Sequence, residues 1–454
     1  MGFLSPNTPL LLVVLLLLQP AGHLTGQEPP GAASPSPDLR SLLAPGFLVE
    51  DRNDDGHPDF VNARILLPVD ADGAEVAAAG NLAARLAFES YATDLGLLRL
   101  DSPEAGQEEV PLLVVGRAHA LLAAVGMDHA EVLRELVAGE GMVLRLPPSS
   151  ALPAGGVWVA GADATGLLAA AEYVSGRYPG VWAPEGPTWE ALAEGIRSHL
   201  LGAEDDETPE DDGPVVVTLE RAVVSATRPG ISRTAVTVQV TDPDRWEAAR
   251  EALDPAAAGR VVLVPGLHRL DLRLRGPAGE DSRLRIAPER PWEEGELSAW
   301  QPRELSDFTL SDLFTLRGIY RDSSQDLLPD RTEAWISLRG TEAAGGVVDL
   351  AMRVAHEATG VRFPLVRLAG EDDPPEALGF PILFGVDHFT TARLREEERL
   401  GAPSAPTLPP GEGFVELVEK AIGDRHALVV GGSDEAGLAA AARLVSHRFP
   451  FLHG

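Results

Sequence analysis

The sequence predicts an α/β protein: a duplicated, layered α/β domain with a mixed or mainly parallel sheet, its copies separated by a small α+β domain. Three observations carry this. VAGADATGLLAAAEYVSGRYP (Val159–Pro179) returns as VGGSDEAGLAAAARLVSHRFP (Val430–Pro450), with 12 of 21 positions identical at an offset of 271. The acidic stretch DRNDDGHPD (Asp51–Asp59) faces DSSQDLLPD (Asp322–Asp330) at the same offset. Between these anchors, short apolar runs alternate with Ala-rich segments whose apolar residues recur at helical spacing, as strands joined by helices require.

In chain order, residues 1–26 read as a signal peptide. Leu10–Leu18 is a run of nine apolar residues, too short to cross a bilayer and suited to the core of an export signal. No Lys or Arg precedes it, so only the α-amine supplies positive charge there. Residues 27–38 are a Pro-rich linker. The first unit covers 39–200 and the second 310–454.

Each unit opens with a short helix-like lead (LRSLLAPG; LSDLFTLRG) that runs into the acidic loop, then a strand (ARILLPV; AWISLRG). An Ala-rich helix follows (EVAAAGNLAARLAFESYA; GGVVDLAMRVAHEATG), then a buried strand (PLLVVG; PILFG), a variable helical stretch and a GEG turn (Gly139–Gly141; Gly411–Gly413). A strand, a GxDxxG turn and a long helix close the unit. After Pro179 the first copy continues for some twenty residues, whereas the sequence ends at Gly454, four residues past Pro450. The expectation is that the second copy has lost its tail or that the chain is part of a longer one.

Between the units, 201–213 (LGAEDDETPEDDG) is an acidic linker with no apolar period, and 214–309 is the small α+β domain. VVVTLERAVVS, RTAVTVQV, RVVLVPG, LDLRLRG and SRLRIAP read as its strands and DPDRWEAAREAL as its helix, a split βαβ arrangement. The tryptophans of RPWEEGELSAWQPRELSD are expected to pack on a neighbouring domain.

Charge and composition narrow the function. Asp and Glu number 69 against 37 Lys and Arg, a formal charge of -32, which repels nucleic acid and anionic membranes. Lys420 is the single lysine, and the Ala, Gly, Pro and Arg bias is that of a GC-rich bacterial genome. The chain has no cysteine, which excludes disulfides, thiol catalysis, a lipid anchor on cysteine and Cys-type zinc sites. An exported chain without disulfides calls for another staple, and calcium is the staple the acidic loops point to.

Calcium takes about six to eight oxygens at about 2.3–2.6 Å, and a tight loop supplies them from alternate residues around a glycine at the sixth position. In the first loop Asp51, Asn53 and Asp55 hold positions one, three and five, and Gly56 is the sixth. His57 offers its carbonyl at position seven and Asp59 its side chain at nine, while Asn62 stands at twelve. In the second loop Asp322, Asp326 and Asp330 persist, Ser324 replaces Asn53, Leu327 replaces Gly56, and Glu333 stands at position twelve. Because a branched residue resists positive φ, the first loop is expected to bind more tightly than the second.

The DxNxDGxxD pattern of Asp51–Asp59 resembles the calcium loops of dockerins, thrombospondin type 3 repeats and FG-GAP propeller blades, over nine residues; that resemblance implies a metal and no particular fold. Pro111–Gly116 and Val159–Ala171, with their counterparts Pro381–Gly385 and Val430–Ala442, resemble two kinds of domain. One is the non-catalytic α/β domain before the catalytic barrel of some secreted glycosidases. The other is the repeated carbohydrate-binding-like domain of the bacterial cellulose synthase regulatory subunit. They imply an accessory module near polysaccharide.

No catalytic constellation emerges. Asp163 and Asp434 in the GxDxxG turns suit helix caps and would repel a phosphate. Glu140 and Glu412 suit turns rather than a glycosidase carboxylate pair. Arg177 and Arg448 suit helix C-terminal partners. His356-Glu357 and His388 are isolated, and Ser433 lies outside any GxSxG elbow. The resulting expectation is a secreted or periplasmic, calcium-stabilised, non-catalytic binding or scaffold protein. Its expected partners are a polysaccharide or another extracellular protein, with no nucleic acid and no membrane span in the mature chain. The alternatives are the N-terminal accessory region of a larger secreted hydrolase (glycosidase or peptidase), or a hydrolase with a site between the two units.

Overall fold

A computed structural model describes residues 39–91, 95–102, 105–107, 109–176, 189–201, 215–253, 267, 269–287, 309–370, 379–401 and 407–448. The expected signal peptide, both linkers, the strand at 260–266 and the tryptophan-bearing segment lie outside this set, apart from Leu201 at the edge of the acidic linker. No helix among the described residues is long and apolar enough to cross a membrane.

The first unit begins with a two-stranded antiparallel hairpin, β1 (Val49–Glu50) and β2 (Phe60–Val61), that carries the first acidic loop. Its sheet contains β3 (Arg64–Leu67), β4 (Leu98–Leu100), β5 (Leu112–Val115), β6 (Glu140–Leu146) and β7 (Gly156–Gly161). Its helices are α1 (Gly73–Phe88), α2 (Ala120–Ala124), α3 (His129–Leu133) and α4 (Ala164–Ser175). The strands run in the order β4-β3-β5-β7-β6, all parallel except β6.

The tail of the first unit forms α5 (Trp189–Leu201), and the middle region supplies β8 (Val215–Ser225), β9 (Arg228–Val240), α6 (Pro243–Ala252), β10 (Arg269–Arg275) and β11 (Asp281–Ile286). The split βαβ is present: β9 and β10 are parallel across α6. Its sheet does not stand apart from the first unit. β8 pairs antiparallel with β6, so nine strands form one sheet, β11-β10-β9-β8-β6-β7-β5-β3-β4. The physical reason is the outer edge of β6, whose unpaired amides and carbonyls need a partner strand.

The second unit repeats the first. A hairpin of β12 (Tyr320–Arg321) and β13 (Arg331–Thr332) carries the second acidic loop. Then come β14 (Ala334–Leu338), α7 (Ala344–His356), β15 (Val366–Leu368), β16 (Phe380–Phe384), α8 (Phe389–Glu396), β17 (Gly413–Ile422), β18 (Arg425–Gly432) and α9 (Glu435–Arg443). The order β15-β14-β16-β18-β17 matches the first unit strand for strand, with β17 the antiparallel member. Both units therefore contain a strand, β6 or β17, that the sequence reading folded into the GEG turn. The expected helical leads at 39–46 and 310–318 are turns with one short 3-10 segment.

Every residue of β5, β7 and β16 is buried, because helices cover both faces of each sheet. On the outer faces, Leu121, Leu122 and Leu136 pack with Trp158 in the first unit, and Leu394 packs with Leu383 and Val429 in the second. The inner faces share one continuous core, because α1 packs directly against α7 and the units stand back to back. Two pseudo-equivalent contacts lock this arrangement. Buried Asn81 of α1 accepts the amides of Leu365 (2.7 Å) and Val366 (2.9 Å) and donates to the Val366 carbonyl (2.9 Å). Asp349, 268 positions later on α7, accepts the amide of Gly96 ahead of β4 (2.8 Å). The same offset relates the ion pairs Arg85–Glu89 and Arg353–Glu357.

The GEG and GxDxxG turns form one unit of structure. Gly141 lies so close to Gly166 that a Cβ would overlap its carbonyl oxygen, and Gly413 meets Gly437 in the same way. Asp163 accepts the amides of Gly166 and Gly139, both at 2.8 Å, capping α4 and tying down the turn that leads into β6. Asp434 does the same with Gly437 and Gly411, both at 2.9 Å. These amide donors hold both carboxyls below their ordinary pKa.

Candidate metal centre

The two hairpins present the acidic loops in matching conformations. In the first, Asp54 (φ 58°) and Gly56 (φ 87°) take the left-handed region. Their counterparts Gln325 (φ 64°) and Leu327 (φ 73°) do so in the second. Leu327 thus makes the bend it was expected to resist. Its side chain is 80% exposed, so no packing opposes the turn and the cost stays local to the backbone.

Backbone amides turn the carboxylates inward. Asp51 accepts the amides of Gly56 (2.7 Å) and Asp55 (3.2 Å), and Asp55 accepts that of His57 (2.9 Å). Asp59 accepts the amide of Arg52 at 3.0 Å. In the second loop Asp322 accepts Leu327 (2.8 Å), Asp326 (3.3 Å) and Gln325, and Asp326 accepts Leu328 (2.9 Å). Asp330 accepts the amides of Ser323 and Ser324. For Asp322 desolvation works toward a raised pKa, but the amides of Leu327 and Gln325 outweigh it and hold the carboxyl down. For Asp330 the amide of Ser323 is the largest cause of the same depression.

One oxygen from each of Asp322, Asp326 and Asp330 lies within 4.8 Å of the other two. Oxygens no farther apart than about twice a ~2.4 Å calcium–oxygen bond can share one ion. Among the described residues this is the one group of three acidic or imidazole side chains so placed. Ser324 lies within it, donating to Asp322 (3.2 Å) or to Asp330 (3.3 Å). Asp51, Asp55 and Asp59 do not draw together as closely, and Asn53 spends its side chain on Asp55, accepting its amide (3.0 Å) and donating to its carboxylate (3.1 Å). The geometry therefore favours the second loop, the reverse of the expected order.

One predicted ligand is used elsewhere. Glu333 is buried and faces Arg321 (3.4 Å) and Arg331 (3.3 Å), away from the three aspartates. The His57 ring meets Tyr91 edge-on, at 5.5 Å between centroids, which leaves its carbonyl, the expected ligand, out of that contact. Glu140 pairs with Arg233, while Glu412 is exposed in the other unit. His356 bonds the Ala87 carbonyl of the opposite unit (3.2 Å). Arg177 and the side chain of Arg448 lie outside the described set.

The sequence reading missed a pair of equivalent histidines. His119 and His388 each stand three residues past the glycine ending β5 or β16 (Gly116, Gly385), at the start of α2 or α8. His119 Nε2 lies 2.9 Å from the Val115 carbonyl, and Nδ1 is 3.9 Å from Asp101. Burial lowers its pKa, so it is neutral at pH 7. The signal was present as matching positions after the P(L/I)L(V/F)xG strands.

No known family model matches the chain, and no curated protein matches it as a relative.

Proposed function

We propose that this chain is an exported, non-catalytic binding or scaffold protein whose loop hairpins are stapled by calcium, acting beside a polysaccharide or another extracellular protein. The carrying observation is the convergence of Asp322, Asp326 and Asp330 on a loop whose amides hold the carboxylates inward. Crowding three carboxylates is costly without a cation, and an oxygen-only donor set suits a hard ion such as calcium. The position suits a clip: each loop closes the two-stranded hairpin at the entrance to its unit. The packing of α1 against α7 and β15 weighs against a hydrolase site there, since a Cβ on Gly80 would meet Val366 Cγ2 of β15 at 2.8 Å and Val347 Cγ1 of α7 at 3.5 Å.

Thermal unfolding with calcium and with chelator tests the reading. A hundredfold excess of calcium over Kd stabilises by about 2.7 kcal/mol per site. Asp326→Asn should remove the larger part of that shift and Asp55→Asn the smaller. An unchanged midpoint in chelator would refute calcium stapling. Retention of the folded protein on insoluble polysaccharide, in calcium and not in chelator, is the matching test of the binding role.

A further inference from the structure

The first unit has a cavity of about 490 Å³ where β5 and β7 end, lined by Arg117, His129, Leu133, Arg134, Leu136 and Ala162 among others. The volume is in the range of small-ligand sites, about 300–1,000 Å³. In open α/β sheets, ligands bind beyond the carboxyl ends of parallel strands, near the point where strand order reverses. Here the chain leaves β3 toward β4 on one side and reaches β5 on the other, and Arg117 is the second residue after β5.

The lining is unusual for a chain of formal charge -32: its described residues include two arginines and a histidine, and no carboxylate. Neither guanidinium forms an ion pair or hydrogen bond among the described residues, whereas Arg85, Arg145, Arg221, Arg233, Arg269, Arg273 and Arg353 all do. Asp163 also acts on Arg117; the repulsion it offers an anion is reduced because its oxygens are engaged by the Gly166 and Gly139 amides, and the two guanidinium charges oppose it. Of the neighbouring acids, Glu135 accepts Arg221 (2.8 Å), Glu140 pairs with Arg233 and Asp128 accepts the Glu131 amide (3.1 Å), while Glu131 itself is exposed on α3.

The second unit serves as an internal comparison. Gly116 and His119 have counterparts in Gly385 and His388, but the position of Arg117 is taken by Val386. Arg339, the cation in that neighbourhood, is stacked on the Phe389 ring at 3.5 Å. We propose that the first-unit cavity binds an oxyanion, the phosphate or carboxylate group of a small polar molecule such as a sugar phosphate or sugar acid, clamped between Arg117 and Arg134 with His129 as a third donor. Arginine suits this because its planar fork matches the two oxygens of such a group. The assignment is independent of the calcium reading.

The test titrates the full chain with inorganic phosphate and, separately, with glucuronate, at constant ionic strength and pH 6.5, following the imidazole resonances of His129. Expected is saturable binding of at least one probe. Arg117→Gln and Arg134→Gln should each weaken it about tenfold, in line with about 1.5 kcal/mol for a charged hydrogen bond. Arg283→Gln, an exposed arginine on β11, should leave it unchanged. Phosphate alone saturating assigns a phosphate ligand, and glucuronate alone a carboxylate. Neither probe saturating by about 50 mM, or equal affinity in the double variant, overturns the proposal. Both arginines are exposed and, among the described residues, unpaired, so the variants should fold, which circular dichroism checks.

Discussion

His388 is expected to set the acid limit of the second unit. It is 2% exposed and begins α8. Nδ1 accepts the Thr390 amide (3.2 Å), so the proton sits on Nε2, which faces Ser337 Oγ at 2.9 Å. Protonation would set an N–H donor against the Thr390 N–H and place a charge in an apolar site beside Arg339. Burial first, and then Arg339, push its pKa from 6.5 down to about 4. The folded state therefore binds fewer protons than the unfolded state between these values. The stability tied to neutral His388 is fully present above pH 6.5 and is lost as pH falls toward 4. With each unit worth a factor of ten in the equilibrium, the loss is about 2–3 kcal/mol by pH 4.5. His388→Asn keeps a capping oxygen and removes the titration. Urea denaturation of both proteins at pH 7, 6, 5 and 4.5 gives the difference curve, in which carboxylates common to both cancel. The wild type should lose about 2–3 kcal/mol relative to the variant across that range. A difference that stays flat within about 0.5 kcal/mol would show that the imidazole does not titrate as its surroundings require.

Two further changes probe the backbone and the joint between units. Leu327→Gly should stabilise by about 0.5–1 kcal/mol, since the left-handed conformation costs a branched residue about 1–2 kcal/mol and glycine returns part of the gain as unfolded-state entropy. A loss of stability in chemical denaturation would mean that φ at 327 is not held positive. Asn81→Ala removes three buried hydrogen bonds to Leu365 and Val366 and should cost about 3–5 kcal/mol, against about 1–2 kcal/mol for Asp349→Ala, where Asp349 accepts one amide and faces His447 at 4.0 Å. Equal costs would refute the assignment of Asn81 as the main lock between units.

Features made by neighbours in the chain were legible in the sequence. The acidic loops follow from alternate side chains and one bend, the helix caps from Asp163 and Asp434 at the head of apolar helical periods, and the buried strands from runs such as LLVV and FPILF. The duplication was legible because both copies keep the same close-packed glycine and aspartate turns. What escaped depends on groups distant in sequence. β6 and β17 follow a glycine turn directly, and only pairing with β7 and β18 makes them strands. The apolar face of α1 shows that it packs, but not that its partner is α7 of the other copy, 268 residues away. Glu333 stands at a ligand position by count, yet β13 and β14 carry it toward Arg321 and Arg331, and burial makes that pairing the stronger demand. Arg117 and Arg134 share a cavity because β5 ends where α3 folds back over it. The sequence by itself determined the elements and the loops, since torsional preference and hydrophobic period act over a few residues. The tertiary structure decided which faces meet, which acids are spent on arginines and which cations are left facing space, since those follow from burial, and burial is set by the whole chain at once.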